Sequence, residues 1–148
     1  MPDLEDAIYL AVKAHGQQKD RFSGVPYVLH PLRMMRNVQG TELKIIAVLH
    51  DVIEDTEYTI QDLEEMGYSE RICKTLDCLT KRKNETYIEF VRRCVQSPLA
   101  KQIKLADLKD NMDPERTRLL PKEVREKFEK KYTPALKLIQ GTLEKDIV

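Results

Sequence analysis

The most apolar run of the chain, Ile45-Ile46-Ala47-Val48-Leu49, ends on an ionisable pair, His50-Asp51, and continues as Val52-Ile53-Glu54-Asp55. A helix made from that run is apolar almost all round, so it belongs at the centre of a domain. The pair must then be buried with it, which is costly unless something binds both groups. A metal ion meets that need, because imidazole and carboxylate together suit first-row divalent cations.

The rest of the chain is also helical in its hydrophobic spacing, and no stretch alternates over strand length. Asp3 is placed to cap a first helix that carries Ala7, Ile8, Ala11 and Val12 and ends near Gln18. Residues 19–29 read as a polar loop containing Gly24 and Pro26. Pro31 fits the first position of a short helix that passes Met35 and Val38 and closes at Gly40. Thr41 is the expected cap of the central helix. Thr59 to Asp62 resembles a capping box, opening a short helix that Gly67 ends. Ser69 starts a helix with Ile72, Leu76 and Leu79, and another carries Tyr87, Phe90, Val91 and Cys94. Pro98 opens one that runs through Leu99, Ile103 and Asp107 to Asn111. After a loop with Pro114 and Pro121, residues 122–139 are helical in pattern, and Pro134 is expected to kink or split them. No repeat, linker or low-complexity tract intervenes. The expectation is one all-α domain over residues 1–148, a compact helical bundle with its core within residues 3–140.

The 25 basic and 25 acidic side chains cancel, so the net charge offers no footprint for nucleic acid or an anionic membrane. Lys81-Arg82-Lys83 and the cluster around Lys130-Lys131 have acidic neighbours and read as solvated surface. Cys73, Cys78 and Cys94 lack CxxC spacing, which argues against a thiolate zinc site or a disulfide framework. There is no signal-like N-terminus and no apolar stretch of membrane length. A cytoplasmic protein with reduced thiols is expected.

Two more candidate ligands are His30, just before Pro31, and Asp107 in Lys104-Leu105-Ala106-Asp107. With His50 and Asp51 they make a mixed N/O set that suits Mn, Fe or Zn better than Ca or Mg. Residues 50 and 51 project about 100° apart on a helix, straddling a line from which one ion touches both. Glu54 and Asp55 follow one turn on, provided the helix continues, and are candidates to orient or deprotonate a water. Asn111, four residues beyond Asp107, would be a polar neighbour of the ion, while Lys19, Arg21 and Lys104 could offset phosphate charge. Singly, His30 reads as a helix-start histidine, His50 as a hydrogen-bonded core histidine and Asp107 equally as a surface residue or a bond to a neighbouring helix; in one apolar helical context they point to a metal. His15, the last histidine, reads as structural or as a neighbour of the ligands, so a single ion is expected. Tyr27 is either packed or part of a pocket wall.

These residues lie in segments that resemble a known family. The segments are Ala14-His15-Gly16-Gln17, residues 24–31, Ala47 to Thr56 with its HDxxEDT block, Leu79-Thr80-Lys81, and Val95 to Met112 centred on Lys104-Leu105-Ala106-Asp107-Leu108-Lys109-Asp110-Asn111-Met112. Over roughly residues 5–140 the chain resembles the HD-domain phosphohydrolases, in particular the hydrolase half of Rel/SpoT-type alarmone enzymes, as a small stand-alone member. The resemblance implies one Mn²⁺ held by His30, His50, Asp51 and Asp107. It implies Glu54 and Asp55 beside the attacked phosphate, Asn111 near the nucleotide sugar, and Arg21 and Ser23 in a loop against the base. The implied activity is removal of the 3′-pyrophosphate of (p)ppGpp. Alternatives are a 5′-nucleotidase or NADPH phosphatase on the same site, or a non-catalytic nucleotide-binding regulatory module. The chain departs from the pattern on the substrate side: at Phe22, at Leu108-Lys109, and at Asp113-Pro114-Glu115 after Asn111-Met112.

Overall fold

The computed structural model describes residues 1–147, with side chains described to residue 143. Helix α1 (Leu4–His15) starts on Asp3, whose side chain accepts from the Asp6 amide at 2.9 Å while Asp6 accepts from the Asp3 amide at 3.0 Å. This reciprocal cap satisfies two amides that the helix leaves free. Gly16, at φ 52°, turns the chain out of the helix, before the expected end at Gln18. The following segment folds back on itself through an isolated bridge between Lys19 and Pro26.

Helix α2 (Leu29–Arg36) begins two residues before Pro31, so His30 lies on its first turn and not in the preceding loop. Proline is tolerated there because first-turn amides have no intrahelical acceptor. Helix α3 (Thr41–Leu49) is capped by Gly40, at φ 89°, in place of Thr41. Residues 45 to 49 are all fully buried, as the apolar run requires. Each large aliphatic side chain there contributes about 1.5–3 kcal/mol.

The central helix does not continue through the ionisable pair. It stops at Leu49, and a separate turn, α4 (Val52–Asp55), follows Asp51 at φ −102°, ψ 0°. The cause is local: the carbonyl of Ala47 faces His50 Nδ1 at 2.8 Å and accepts from the His50 amide at 3.4 Å. A side chain that competes for a helical carbonyl interrupts the ladder.

Side-chain caps recur along the chain, two of them expected and those at Thr86 and Ser97 not. Thr59 and Asp62 box α5 (Ile60–Glu65), Ser69 caps α6 (Glu70–Cys78), and Thr86 caps α7 (Tyr87–Cys94). Ser97 caps α8 (Pro98–Asn111), with Pro98 at its start. A short helix, α9 (Pro114–Thr117), occupies the stretch expected as loop. Helix α10 (Lys122–Ile147) passes through Pro134 as one helix and runs beyond the expected end at residue 139. Just past that proline, Ala135 and Ile139 bury themselves against Val91 and Leu108, and this packing holds the helix across the hydrogen bond proline cannot make.

Helix α3 packs against α1 and α2, with α6 and α8 also touching it. Among the described residues there is no strand, and no helix is long and apolar enough to cross a membrane. The sequence expectation of an all-α bundle is met.

Candidate active site

Three of the four candidate ligands converge from three helices. Ligand-type atoms of His30 on α2, His50 at the end of α3 and Asp107 on α8 lie within 4.8 Å of one another. His30 Nε2 is 2.9 Å from Asp107 Oδ1, and His50 Nε2 is 3.6 Å from the same oxygen. Asp51 joins through His50, its Oδ2 lying 2.9 Å from Nε2, and it also accepts a hydrogen bond from the Tyr27 hydroxyl. All three residues of the first group are buried.

The tautomer of His50 follows from its surroundings. Only an N–H can face a carbonyl productively, so Nδ1, 2.8 Å from the Ala47 oxygen, carries the proton. In the neutral ring, Nε2 then presents a lone pair to two carboxylates, and this buried atom has no hydrogen-bond partner. Burial alone would lower the affinity of His50 for a second proton, but Asp51 and Asp107 outweigh it and raise its pKa to about 10. Burial also opposes ionisation of Asp51 and Asp107, yet His50 holds the first down to about 2, and Lys104 with His30 holds the second well below its usual range. The cluster thus calls for positive charge at one point, and the donor set fits a divalent cation.

The group opens on a cavity of about 630 Å³, within the range of small-molecule sites. Glu54 and Asp55 line it, although α4 is separate from α3. The Lys81 amide donates to Glu54 Oε1 at 3.0 Å. Burial, with repulsion from Asp51 and Glu54, pushes the Asp55 carboxyl up to about 6. Arg21 and Ser23 are also on the wall, and Phe22 meets Phe128 of α10 edge-on with centroids 6.0 Å apart.

Lys104 Nζ donates to Asp107 Oδ2 at 2.8 Å and lies over the rings of Tyr87 and Phe90, so it is committed to a ligand carboxylate. Asn111 donates to Asp107 Oδ1 at 3.4 Å. Lys19 is not among the wall residues; its backbone pairs with Pro26. His15 bonds Gln18 and packs its ring 5.1 Å from that of Tyr27, which lines the cavity.

Sequence reasoning passed over Arg33, Asp110 and Arg116. Asp110 Oδ2 is 2.6 Å from His30 Nδ1, and Arg33 Nε donates to Asp110 Oδ1 at 2.8 Å. Arg33 stands three residues after His30, and Asp110 three after Asp107, so each shares a helix face with a candidate ligand. That spacing was the available signal.

No protein-family model matches the chain. It is 30% identical over 122 residues to a guanosine-3′,5′-bis(diphosphate) 3′-pyrophosphohydrolase of Aquifex aeolicus, covering 74% of this chain and 17% of that protein. It is 31% identical over 115 residues to the guanosine-3′,5′-bis(diphosphate) 3′-pyrophosphohydrolase MESH1 of Mus musculus, covering 70% of this chain and 64% of that one. A solved chain described as a metazoan ortholog of SpoT that hydrolyzes ppGpp superposes with a TM-score of 0.74 at 24% identity, over 92% of this chain and 87% of its own length. The chain therefore spans under a fifth of the Aquifex protein and less than two thirds of the mouse protein. It is a homologue of these (p)ppGpp pyrophosphohydrolases and has the HD-domain hydrolase fold, as the sequence resemblance implied.

Proposed function

We propose that this chain is a metal-dependent phosphohydrolase that removes the 3′-diphosphate of guanosine-3′,5′-bis(diphosphate) as pyrophosphate. The observation that carries the proposal is the buried Nε2 of His50, 2.9 Å from Asp51 Oδ2 and 3.6 Å from Asp107 Oδ1, beside a cavity of nucleotide size. The names of the relatives supply the substrate class.

His30, His50, Asp51 and Asp107 would hold one divalent ion, for which Mn²⁺ is the first choice. Such an ion supplies Lewis-acid polarisation of a phosphoryl oxygen and a lower pKa for water. The chain's own groups account for the rest. In the proposed reaction water adds to the phosphorus bonded to the 3′-oxygen, the P–O3′ bond breaks, and the 3′-oxygen takes up a proton. Asp55, with its carboxyl at about 6, is largely ionised at neutral pH and still basic enough to accept the proton of the attacking water. Glu54, anchored by the Lys81 amide, stands beside it and helps orient that water. Lys104 balances the charge of Asp107, and Arg21 on the cavity wall is available to substrate phosphate. Ser23 and Asn111 offer polar contacts to base and sugar.

The test is product analysis with a nucleotide panel and Mn²⁺. Guanosine-3′,5′-bis(diphosphate) is expected to yield GDP and pyrophosphate, and Asp51→Ala is expected to abolish both. Orthophosphate released instead from NADPH or a 5′-nucleotide would reassign the substrate. Nucleotide binding without turnover under any divalent metal would make the chain a regulatory module.

A further inference from the structure

We infer that Arg116 is a positioning residue that locks the loop bearing Phe22 and Ser23 to the ligand His30, acting through Asp110. The inference rests on His30 holding the proposed ion. Its basis is a continuous path of charged contacts. His30 turns Nε2 to Asp107 and Nδ1 to Asp110, so the Asp110 carboxylate, buried, sets the orientation of the ring. Arg116 reaches that carboxylate with Nη1, 2.8 Å from Oδ2, and the Asp110 backbone oxygen at 2.9 Å. Its other amino group, Nη2, donates to Asp20 Oδ2 at 3.0 Å. Asp20 in turn accepts from the Phe22 amide at 2.9 Å and the Ser23 amide at 3.0 Å through Oδ1.

One guanidinium therefore bridges two carboxylates from different parts of the chain, Asp20 in the loop on the cavity wall and Asp110 on α8 beside His30. Arg33 grips Asp110 from α2, with both of its hydrogen bonds on that carboxylate, so it steadies the ring without reaching the loop. Arg116 is carried by α9, which forms from Pro114 onward and is capped by Asp113.

The consequence is reciprocal coupling. An ion that fixes His30 steadies Asp110, Arg116 and the loop, and a ligand that orders Phe22 and Ser23 tightens the grip on the ion by the same factor. The planar fork of arginine is what spans both carboxylates; a lysine ammonium at the same place is a single point charge.

The experiment measures Mn²⁺ binding by the full chain with no nucleotide present, together with hydrogen exchange of the loop amides. Arg116→Ala is expected to weaken Mn²⁺ binding about tenfold, the lower end of what such indirect contacts contribute. It should also abolish the added protection that Mn²⁺ gives the Phe22 and Ser23 amides in the wild type. Asp20→Asn keeps the loop's acceptor and removes the charge facing Arg116. It is expected to weaken Mn²⁺ binding alone and to add nothing in the Arg116→Ala background. Arg116→Lys, which keeps the charge, covers the case in which the alanine variant does not fold, and should also lose the Mn²⁺-dependent protection. Unchanged Mn²⁺ affinity with unchanged loop protection in the Arg116 variants, or additive effects of the two substitutions, overturns the inference and leaves the proposed function standing. A wild type that binds no divalent ion overturns both.

Discussion

The ammonium of Lys104 and the carboxylate of Asp107 form a buried pair, 2.8 Å apart, one helical turn apart on α8. The other carboxylate oxygen is the one that faces both His30 and His50. Lys104 therefore neutralises half of Asp107 while leaving its other half directed at the imidazoles.

Removing that ammonium leaves a buried charge with too few counter-charges. Lys104→Met is expected to destabilise the metal-free protein by about 3–5 kcal/mol. Saturating Mn²⁺ should restore part of the loss by mass action on the folded state. Denaturant unfolding with and without Mn²⁺ checks this; equal losses under both conditions would detach Lys104 from the ion site.

Asp55 is proposed as the group that takes a proton from water. Asp55→Asn is expected to lower kcat by about 10²–10⁴ while leaving Mn²⁺ binding within a fewfold of wild type. A base works only when ionised, so the wild-type rate should fall as pH drops through the pKa of Asp55. In the metal-free protein that value is about 6, raised by burial and by repulsion from Asp51 and Glu54. A bound cation offsets the repulsion, so the acidic limb of kcat/KM is expected at or below pH 6. The limb should vanish in Asp55→Asn.

Cys78 and Cys94 meet where α6 ends and α7 closes, with Cys94 Sγ 3.6 Å from the Cys78 carbonyl. A hydrogen bond from Cys94, with the charges of Arg93 and Arg82, outweighs burial and brings the Cys78 thiol down to about 7. The side-chain interaction with Cys78, with burial, pushes the Cys94 thiol up. Alkylation by iodoacetamide should therefore favour Cys78, its rate rising with pH to a midpoint near 7. Cys94→Ala should move that midpoint upward, which peptide mapping of the alkylated protein would show.

Leu49 is fully buried immediately before His50. Leu49→Ala is expected to cost about 2–5 kcal/mol in denaturant unfolding. Because α3 delivers His50, the same substitution should weaken Mn²⁺ binding. A stability loss with Mn²⁺ affinity untouched would show that the ligand is held by its own turn and not by the core.

The parts legible in the sequence were those governed by neighbours in the chain. Asp3, Thr59 and Ser69 start helices where their positions said they would, and Pro98 opens α8 as expected. His50-Asp51 was conspicuous because ionisable groups in an apolar run need a partner, and the structure brings His50 to His30 and Asp107. The break after Leu49 was not legible, since it depends on which carbonyl the His50 ring chooses. Pro134 reads as an interruption, yet burial of Ala135 and Ile139 on a distant partner carries α10 through it. The link from Arg116 to Asp20 joins residues 96 apart, and no local period announces such a pairing.

Helix α10 places Phe128, Lys131 and Tyr132 on the cavity wall, while its buried residues pack on α7 and α8 in a cluster separate from the one built around α3. Of the candidate ligands, His30 on α2 and His50 at the end of α3 come from elsewhere, while Asp107 is on α8. Only Asp107 shares a helix with the support of α10: in the proposed enzyme, sequence drift along α10 would reshape what the enclosure admits while His30 and His50 keep their footing on the other cluster.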